Sequence, residues 1–196
     1  MMKNLTLIFF IFSLLSYSQN NFTSARSIEI SENNYEEQLR SSIVKNIELT
    51  NIGPSVMSGR VTDLEVNPNN PTEFYVAYAS GGLWHTKNNG TTFSPIMDNS
   101  MTQNIGDFAI DWKSNSIYVG TGESNSSRSS YPGIGILKSN DNGSTWTNIG
   151  LRDSHHISRV LVNPNNENHI VVAVIGHLYT KNCLLYTSDA ADEAEC

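Results

Sequence analysis

Hydrophobic residues in this chain fall in short runs, and each run ends at a turn signal. The runs VTDLEV (61–66) and FYVAY (74–78) are rich in β-branched and aromatic residues, and the breaker NPNNP separates them. Such runs favour β-strands, and the nearly continuous apolar run at 74–78 is typical of a strand buried on both faces. GLWHT (82–86) and TFSPI (92–96) follow as a third and a fourth strand. The pattern predicts four short consecutive strands.

The four-strand pattern is repeated along the chain. Residues 59–96 align with 106–149, and a third copy runs from 157 to 182. The phrase VNPNN recurs 96 residues apart with one copy in between, which gives a period of about 48 residues. This repeat predicts an all-β chain, a β-propeller of four-stranded antiparallel blades with about two and a half blades present. A two-sheet sandwich could use such strands, but it does not require a regular repeat.

A polar phrase recurs between the third and fourth strands of a unit. A glycine in it permits a positive φ, a carboxylate can accept the N–H groups of the turn, and a closing aromatic residue can pack between blades. We interpret the phrase as a structural turn of the Asp-box type. Its residues in SNDNGSTW are Ser139, Asp141, Gly143, Thr145 and Trp146, and in the weaker copy TKNNGTTF they are Thr86, Asn88, Gly90, Thr92 and Phe93.

The N-terminal region departs from the repeat. Residues 1–18 combine Lys3, an apolar run and small residues at a cleavage position, which predicts a secretory signal peptide; an uncleaved membrane anchor is the alternative. Residues 19–46 form a lead segment, in which 33–44 predicts a short helix with one apolar face. TNIG at 50–53 repeats the fourth strand of the second unit, so residues 47–52 predict an outer strand that closes the last blade. The apolar face of the predicted helix contains Tyr35, Leu39 and Ile43.

The C-terminal residues 183–196, CLLYTSDAADEAEC, continue no earlier periodicity. They resemble the translation of a transposon-end sequencing adapter, so we interpret them as a non-native tail that packs against nothing specific and 47–182 as a partial propeller. Both cysteines lie in this tail, which leaves no disulfide framework elsewhere.

The net charge is −7, and without the tail and Lys3 the chain has 15 acids against 11 bases. This acidic balance argues against a nucleic-acid partner.

The units resemble the Asp-box (BNR) repeat propellers, in particular the sortilin-type propeller family of exported bacterial proteins. The resemblance covers residues 51–182, and its motifs are NIGPSVMSGRV, ASGGLWHT, GTGESNSSRSSYPGIGILKS, the Asp box and GHLYTKN. It implies a large toroidal protein, secreted or at the cell surface, of which this chain is an N-terminal fragment. Many bacterial members carry the label glycosyl hydrolase because sialidases also contain Asp boxes.

Function in such a scaffold usually lies on the longer loops, at the end opposite the Asp boxes. We expect these loops to bind an extracellular peptide, protein or glycan, with no cofactor, no metal and no stable membrane insertion. The adjacent pair His155 and His156 lacks further metal ligands, which favours a solvated loop over a metal site. The candidate ligand-binding residues are Arg60, Glu123, Arg128 and Tyr131.

Glycoside hydrolysis is the alternative function, with an active site completed by blades outside this chain. It needs two carboxyl groups across the scissile bond. Xyloglucan-cleaving Asp-box propellers have an Asp in a TD-x-GG element, and the corresponding stretch here is YASGG, with Ala79 at the position of that Asp. The Arg-Ile-Pro element of sialidases is absent. We therefore assign no catalytic residue and leave the enzymatic status open. The loop-end acids without a visible pairing are Asp107, Glu123 and Asp153.

Overall fold

The computed structural model describes residues 23–47, 59–125, 130–177, 184–187 and 194–195. The predicted signal peptide, the predicted closing strand beyond residue 47 and Arg128 lie outside these residues. Within them, one α-helix and one short 3-10 helix accompany strands that form three antiparallel sheets of four strands each. In the part of the chain described here, no helix is long and apolar enough to cross a membrane.

Each sheet is a meander, because its four strands are hydrogen-bonded in chain order. The predicted four-stranded antiparallel units are therefore confirmed. The first sheet contains β1 (Val61–Val66), β2 (Phe74–Tyr78), β3 (Gly82–Thr86) and β4 (Ser94–Pro95). The second contains β5 (Ile105–Asp111), β6 (Ser116–Thr121), β7 (Ile136–Ser139) and β8 (Thr147–Gly150), and the third contains β9 (Ile157–Asn163), β10 (Asn166–Val174), β11 (Leu184–Thr187) and β12 (Ala194–Glu195).

The third sheet corrects the expectation for the C-terminal residues. Strand β11 pairs antiparallel with residues 171–174 of β10, and β12 pairs with β11. The prediction that 183–196 packs against nothing specific is therefore wrong, and the third unit has four strands instead of half a blade. The physical reason is that the outer edge of β10 would present unpaired N–H and C=O groups, and the strand-forming sequence LLYT satisfies them.

The N-terminal helix α1 (Ala25–Ser41) begins earlier and ends earlier than the predicted 33–44. Ser24 caps its N-terminus, because the Ser24 hydroxyl accepts a hydrogen bond from the backbone of the first turn. Ile28 is the buried residue of the helix. The apolar face that the sequence predicted is largely exposed, and its members are Tyr35, Leu39 and Ile43, the last beyond the helix end.

Two hydrophobic clusters hold neighbouring sheets face to face. One cluster joins the first and second sheets, and the other joins the second and third. Strand β6 serves both clusters, since Ile117 and Val119 point to the first and Tyr118 to the second. This alternation is the period of a strand buried on both faces, as the apolar runs of the sequence predicted.

Polar contacts define two different ends of the stacked sheets. At one end the Lys113 ammonium donates to the Pro164 carbonyl at 2.6 Å, which joins the turns after β5 and β9. At the other end Gly133 N donates to the His155 carbonyl at 2.7 Å, which joins a loop between second and third strands to a connection between sheets. We call the second the loop end. It is where the candidate residues were expected.

Candidate functional site

The turn between β7 and β8 is closed by its own side chains. The Asp141 carboxylate accepts the Thr145 N–H at 2.9 Å and the Thr145 hydroxyl at 2.6 Å, and Ser139 Oγ donates to it at 2.8 Å. Gly143 adopts φ +86° and its N–H donates to Ser139 Oγ at 2.8 Å. The hydrogen bonds from Thr145 lower the pKa of Asp141 to about 2. The carboxylate is thus occupied by the turn.

The turn between β3 and β4 has the same geometry with an amide in place of the carboxylate. Asn88 Oδ1 accepts the Thr92 N–H at 2.9 Å, and Asn88 Nδ2 donates to the Thr92 hydroxyl at 2.8 Å. Gly90 adopts φ +77° and its N–H donates to Thr86 Oγ1 at 3.0 Å. An Asn therefore fits this turn as an Asp does.

The aromatic residues that follow the two turns differ in their described neighbours. The Trp146 indole N–H donates to the Ile96 carbonyl of the preceding unit at 3.0 Å, and the ring packs against the cluster between the first and second sheets. Phe93 packs edge to face on Phe74 of its own sheet, with ring centroids 5.8 Å apart. Trp146 therefore lies between two sheets. An equivalent position for Phe93 remains a prediction.

We expect Asp141→Asn to lower the melting temperature only slightly and Asp141→Ala to lower it clearly. An amide keeps the acceptor for the Thr145 N–H, as Asn88 shows in the other turn, whereas alanine leaves the N–H groups of the turn unpaired. Thermal unfolding followed by circular dichroism measures both variants. Equal melting temperatures for the two variants would contradict this role of the side chain.

Glu123, at the loop end, is completely buried. Its Oε2 lies 2.6 Å from the Arg60 guanidinium and also accepts a hydrogen bond from Ser130, while Oε1 accepts the Asn125 N–H at 2.7 Å. Arg60 lies just before β1 and Glu123 just after β6, so the ion pair joins the first unit to the second. The Arg60 guanidinium compensates the negative charge of the carboxylate, and hydrogen-bond donors surround it. It stabilises the loop end from inside.

The histidine pair lies in the interior, so the expectation of a solvated loop is wrong. His155 and His156 are both buried. His156 Nδ1 donates to the Glu123 carbonyl at 2.8 Å, and His155 Nε2 donates to the Thr23 carbonyl at 3.0 Å. Burial lowers the pKa of His156, which keeps its ring neutral near pH 7. The physical reason for the burial is that the N-terminal segment and the loop around Glu123 cover the pair.

Asp153 and its neighbour attach the helix to the loop end. Asp153 Oδ1 accepts the backbone N–H of Ala25 at 2.7 Å, in the first turn of α1. Arg152 forms an ion pair with Glu32 of the same helix. Asp153 therefore serves as an anchor for α1. Among the described residues, no group of three or more His, Cys, Asp or Glu side chains is placed to hold a metal ion.

Asp107 belongs to a carboxyl pair that the sequence did not indicate. It is 3% exposed, its Oδ2 accepts the Val160 N–H at 2.6 Å, and its neighbour on β1 is Asp63. Burial, with the charge of Asp63, raises the pKa of Asp107 to about 7. Arg159 of β9 lies 3.4 Å from Asp107 Oδ1. The two carboxyl groups therefore lie next to each other where β1, β5 and β9, the first strands of the three sheets, meet.

The remaining loop-end candidates keep exposed surface. The Tyr131 side chain is exposed, and the Arg60 side chain is 38% exposed although it pairs with Glu123. Ala79 is buried, and its backbone joins two units: its N–H donates to the Arg60 carbonyl and its carbonyl accepts the Ile105 N–H. The loop end thus presents an aromatic ring and part of a guanidinium above a buried polar layer.

Comparison with known proteins gives structural likeness alone. No family model matches the chain, and no curated protein matches it. The GH74 enzyme of Niastella koreensis is similar to it with a TM-score of 0.51 at 22% identity, over 67% of this chain and 20% of that one. The GH74 xyloglucanase from Xanthomonas campestris gives 0.48 at 15% over 67% and 21%, and YCF48 from Cyanidioschyzon merolae gives 0.42 at 16% over 69% and 36%.

The fold is that of a β-propeller. Each four-stranded sheet is one blade, and the blades pack face to face through the two hydrophobic clusters. The chain spans 20% of the length of the Niastella koreensis structure and 21% of the Xanthomonas campestris one. At 22% identity the likeness extends to the fold and no further.

Proposed function

We propose that this chain is part of an exported propeller that binds an extracellular peptide, protein or glycan at its loop end and contains no complete active site. The observation that supports the proposal is the burial and pairing of the Glu123 carboxylate. This carboxylate is completely buried and paired with Arg60. A general acid or base must reach its substrate, and this one is enclosed by its own protein partners.

The exposed groups above Glu123 suit recognition. Tyr131 offers a ring on which an apolar face of a sugar or a peptide side chain can stack. Arg60 is held in place by Glu123 while its side chain stays 38% exposed, and a guanidinium at the surface suits the recognition of a ligand carboxylate. Arg128 stands shortly before Tyr131 in the sequence, and it is proposed to contribute a second guanidinium. Rigid blades that carry variable loops are a common arrangement for binding sites.

Sequence features support the finer assignment. The hydrogen-bonded turns at 86–93 and 139–146 have the residues and contacts expected of Asp boxes, which favours the Asp-box and sortilin-type group. The apolar N-terminal run favours secretion through a signal peptide.

The rival function is glycoside hydrolysis, suggested by the GH74 enzymes among the similar structures. The carboxyl pair of this chain, Asp63 and Asp107, is in mutual contact, whereas retaining glycosidases hold their two carboxyl groups about 5 Å apart and inverting ones further. Ala79, two residues before the Gly-Gly pair, stands where the xyloglucan-cleaving propellers have an Asp. A hydrolase would therefore need acids from outside this chain.

Binding at the loop end predicts a loss of affinity for Tyr131→Ala. The full-length protein is screened on peptide and glycan arrays, and the dissociation constant of the best ligand is measured by calorimetry. Loss of one stacking contact should weaken binding about three- to tenfold. Tyr35→Ala is the matched control, since Tyr35 is an equally exposed tyrosine on α1, and it should bind as the wild type does. Equal losses in both variants would contradict the assignment.

Glu123→Gln distinguishes the two functions. In the binding scaffold the change breaks a buried ion pair and should lower the free energy of unfolding by about 2–4 kcal/mol. The measurement combines urea unfolding with assays of xyloglucan and sialoside hydrolysis by the full-length protein. Turnover in the wild type that disappears in Glu123→Gln, with unchanged stability, would show a catalytic carboxyl and defeat the proposal.

A further inference from the structure

A cavity of about 350 Å³ lies between α1 and the second blade, away from Arg60 and Tyr131. Its volume lies within the range of small-ligand sites in proteins. The helix forms one wall and the strand β8 with the adjacent loops forms the other. The lining residues that matter here are Glu29, Glu32, Glu36, Met101, Trp146 and Arg152.

The charged residues that line the cavity are mostly acidic, with three glutamates against one arginine. Glu32 pairs with Arg152 through Oε2, but its Oε1 atom is buried and has no hydrogen-bond partner among the described residues. Glu36 pairs with Arg40 on the exposed side of the helix at 3.0 Å, and Glu29 forms no ion pair with the described residues. A buried carboxylate oxygen without a donor costs about 1–3 kcal/mol. An incoming cationic donor would remove this cost.

One wall of the cavity is aromatic and fixed. The Trp146 indole N–H is already used by the Ile96 carbonyl, so the ring is held in place and its polar edge is occupied. The ring also lines the cavity, where it can offer its π surface. A cation near the face of a tryptophan gains about 0.5–2 kcal/mol, and tryptophan is the best of the aromatic residues in this role. Met101 adds an apolar contact for a methylene chain.

We propose that this cavity binds the lysine or arginine side chain of a partner polypeptide. The ammonium or guanidinium group lies near Glu32 and Glu29, and its aliphatic stem packs along Trp146. An anionic ligand is disfavoured because three glutamates against one arginine line the cavity. This cavity is separate from the loop-end site, so an experiment can disprove one of the two proposals without affecting the other.

The test titrates the full-length protein with N-acetyl-lysine amide and follows the Trp146 indole signal by NMR, assigned with Trp146→Phe. The uncharged analogue N-acetyl-norleucine amide is the ligand control. We expect a dissociation constant on the order of 1 mM for the lysine compound. Binding should weaken as the salt concentration rises, because the exposed part of the site is screened.

Two charge-matched variants on α1 test the position of the site. Glu29→Gln should weaken binding about three- to fivefold, whereas Glu37→Gln, an exposed glutamate of the same helix outside the cavity, should leave it unchanged. Both variants are expected to fold. Equal effects of the two changes, equal binding of the norleucine compound, or no shift at about 20 mM ligand would each overturn the proposal. A shift caused by methyl glucoside and not by lysine would also overturn it.

Discussion

Replacing Gly122 by alanine is expected to lower the free energy of unfolding by more than about 4 kcal/mol, or to prevent folding. Gly122 adopts φ +86°, and a Cβ atom there would lie 1.9 Å from the His155 carbonyl oxygen. That oxygen belongs to the backbone, so no side-chain rotation can relieve the contact. The residue also joins two blades, because its carbonyl accepts the Ile157 N–H at 3.1 Å. Urea unfolding monitored by tryptophan fluorescence measures the loss.

Two further alanine variants separate steric overlap from backbone strain. Gly150 has φ +131° and nothing within 4 Å of the added atom, so Gly150→Ala should cost only the strain, about 1–3 kcal/mol. Gly106 has no such φ, but its Cβ would lie 1.8 Å from the Ile157 carbonyl. Gly106→Ala should therefore be nearly as damaging as Gly122→Ala. If Gly122→Ala is as stable as Gly150→Ala, the backbone at His155 can move away from the added methyl group, and the predicted steric overlap is wrong.

Local signals explain why the blades could be predicted from the sequence. The run FYVAY is flanked by turn residues on both sides, and β2 has the bounds Phe74–Tyr78. The phrase TNIG forms β8 at Thr147–Gly150 for the same reason. Strand length and turn position depend on residues that are neighbours in the sequence, and a repeat shows the same pattern several times. The C-terminal strand β11 escaped prediction because its pairing depends on an open edge elsewhere in the fold.

The polar interior could not be predicted in the same way, because its partners come from different blades. Glu123 and His155 stand in polar stretches that are typical of solvated loops, and Arg60 covers the first while the N-terminal segment covers the second. One usable signal was present in the aligned repeats. The first strand of each sheet has a register shift just after its first paired residue. The next paired residue is Asp63 in β1, Asp107 in β5 and Arg159 in β9, so equivalent positions of the three blades carry two acids and one base.

This shared position predicts an unusual pH dependence. The pKa of Asp107 rises from 3.8 to about 7 on folding, mainly because the carboxyl is buried. Between these two values the folded chain binds a proton that the unfolded chain has released. The stabilising contribution of the protonated form is therefore full below pH 3.8 and is lost as the pH rises towards 7, at up to about 1.4 kcal/mol per pH unit.

Asp107→Asn is expected to raise the free energy of unfolding at pH 7–8 relative to the wild type and to leave it similar near pH 4. The amide keeps an acceptor for the Val160 N–H and offers a donor to Asp63, whose Oδ2 atom is buried and has no hydrogen-bond partner in the described part of the chain. Urea unfolding across this pH range measures the difference between the two proteins, so histidine titrations common to both cancel. Glu37→Gln removes an exposed charge and should give a difference that hardly changes with pH. A difference for Asp107→Asn that is equally flat would mean that the buried carboxyl is ionised throughout, with Arg159 compensating its charge.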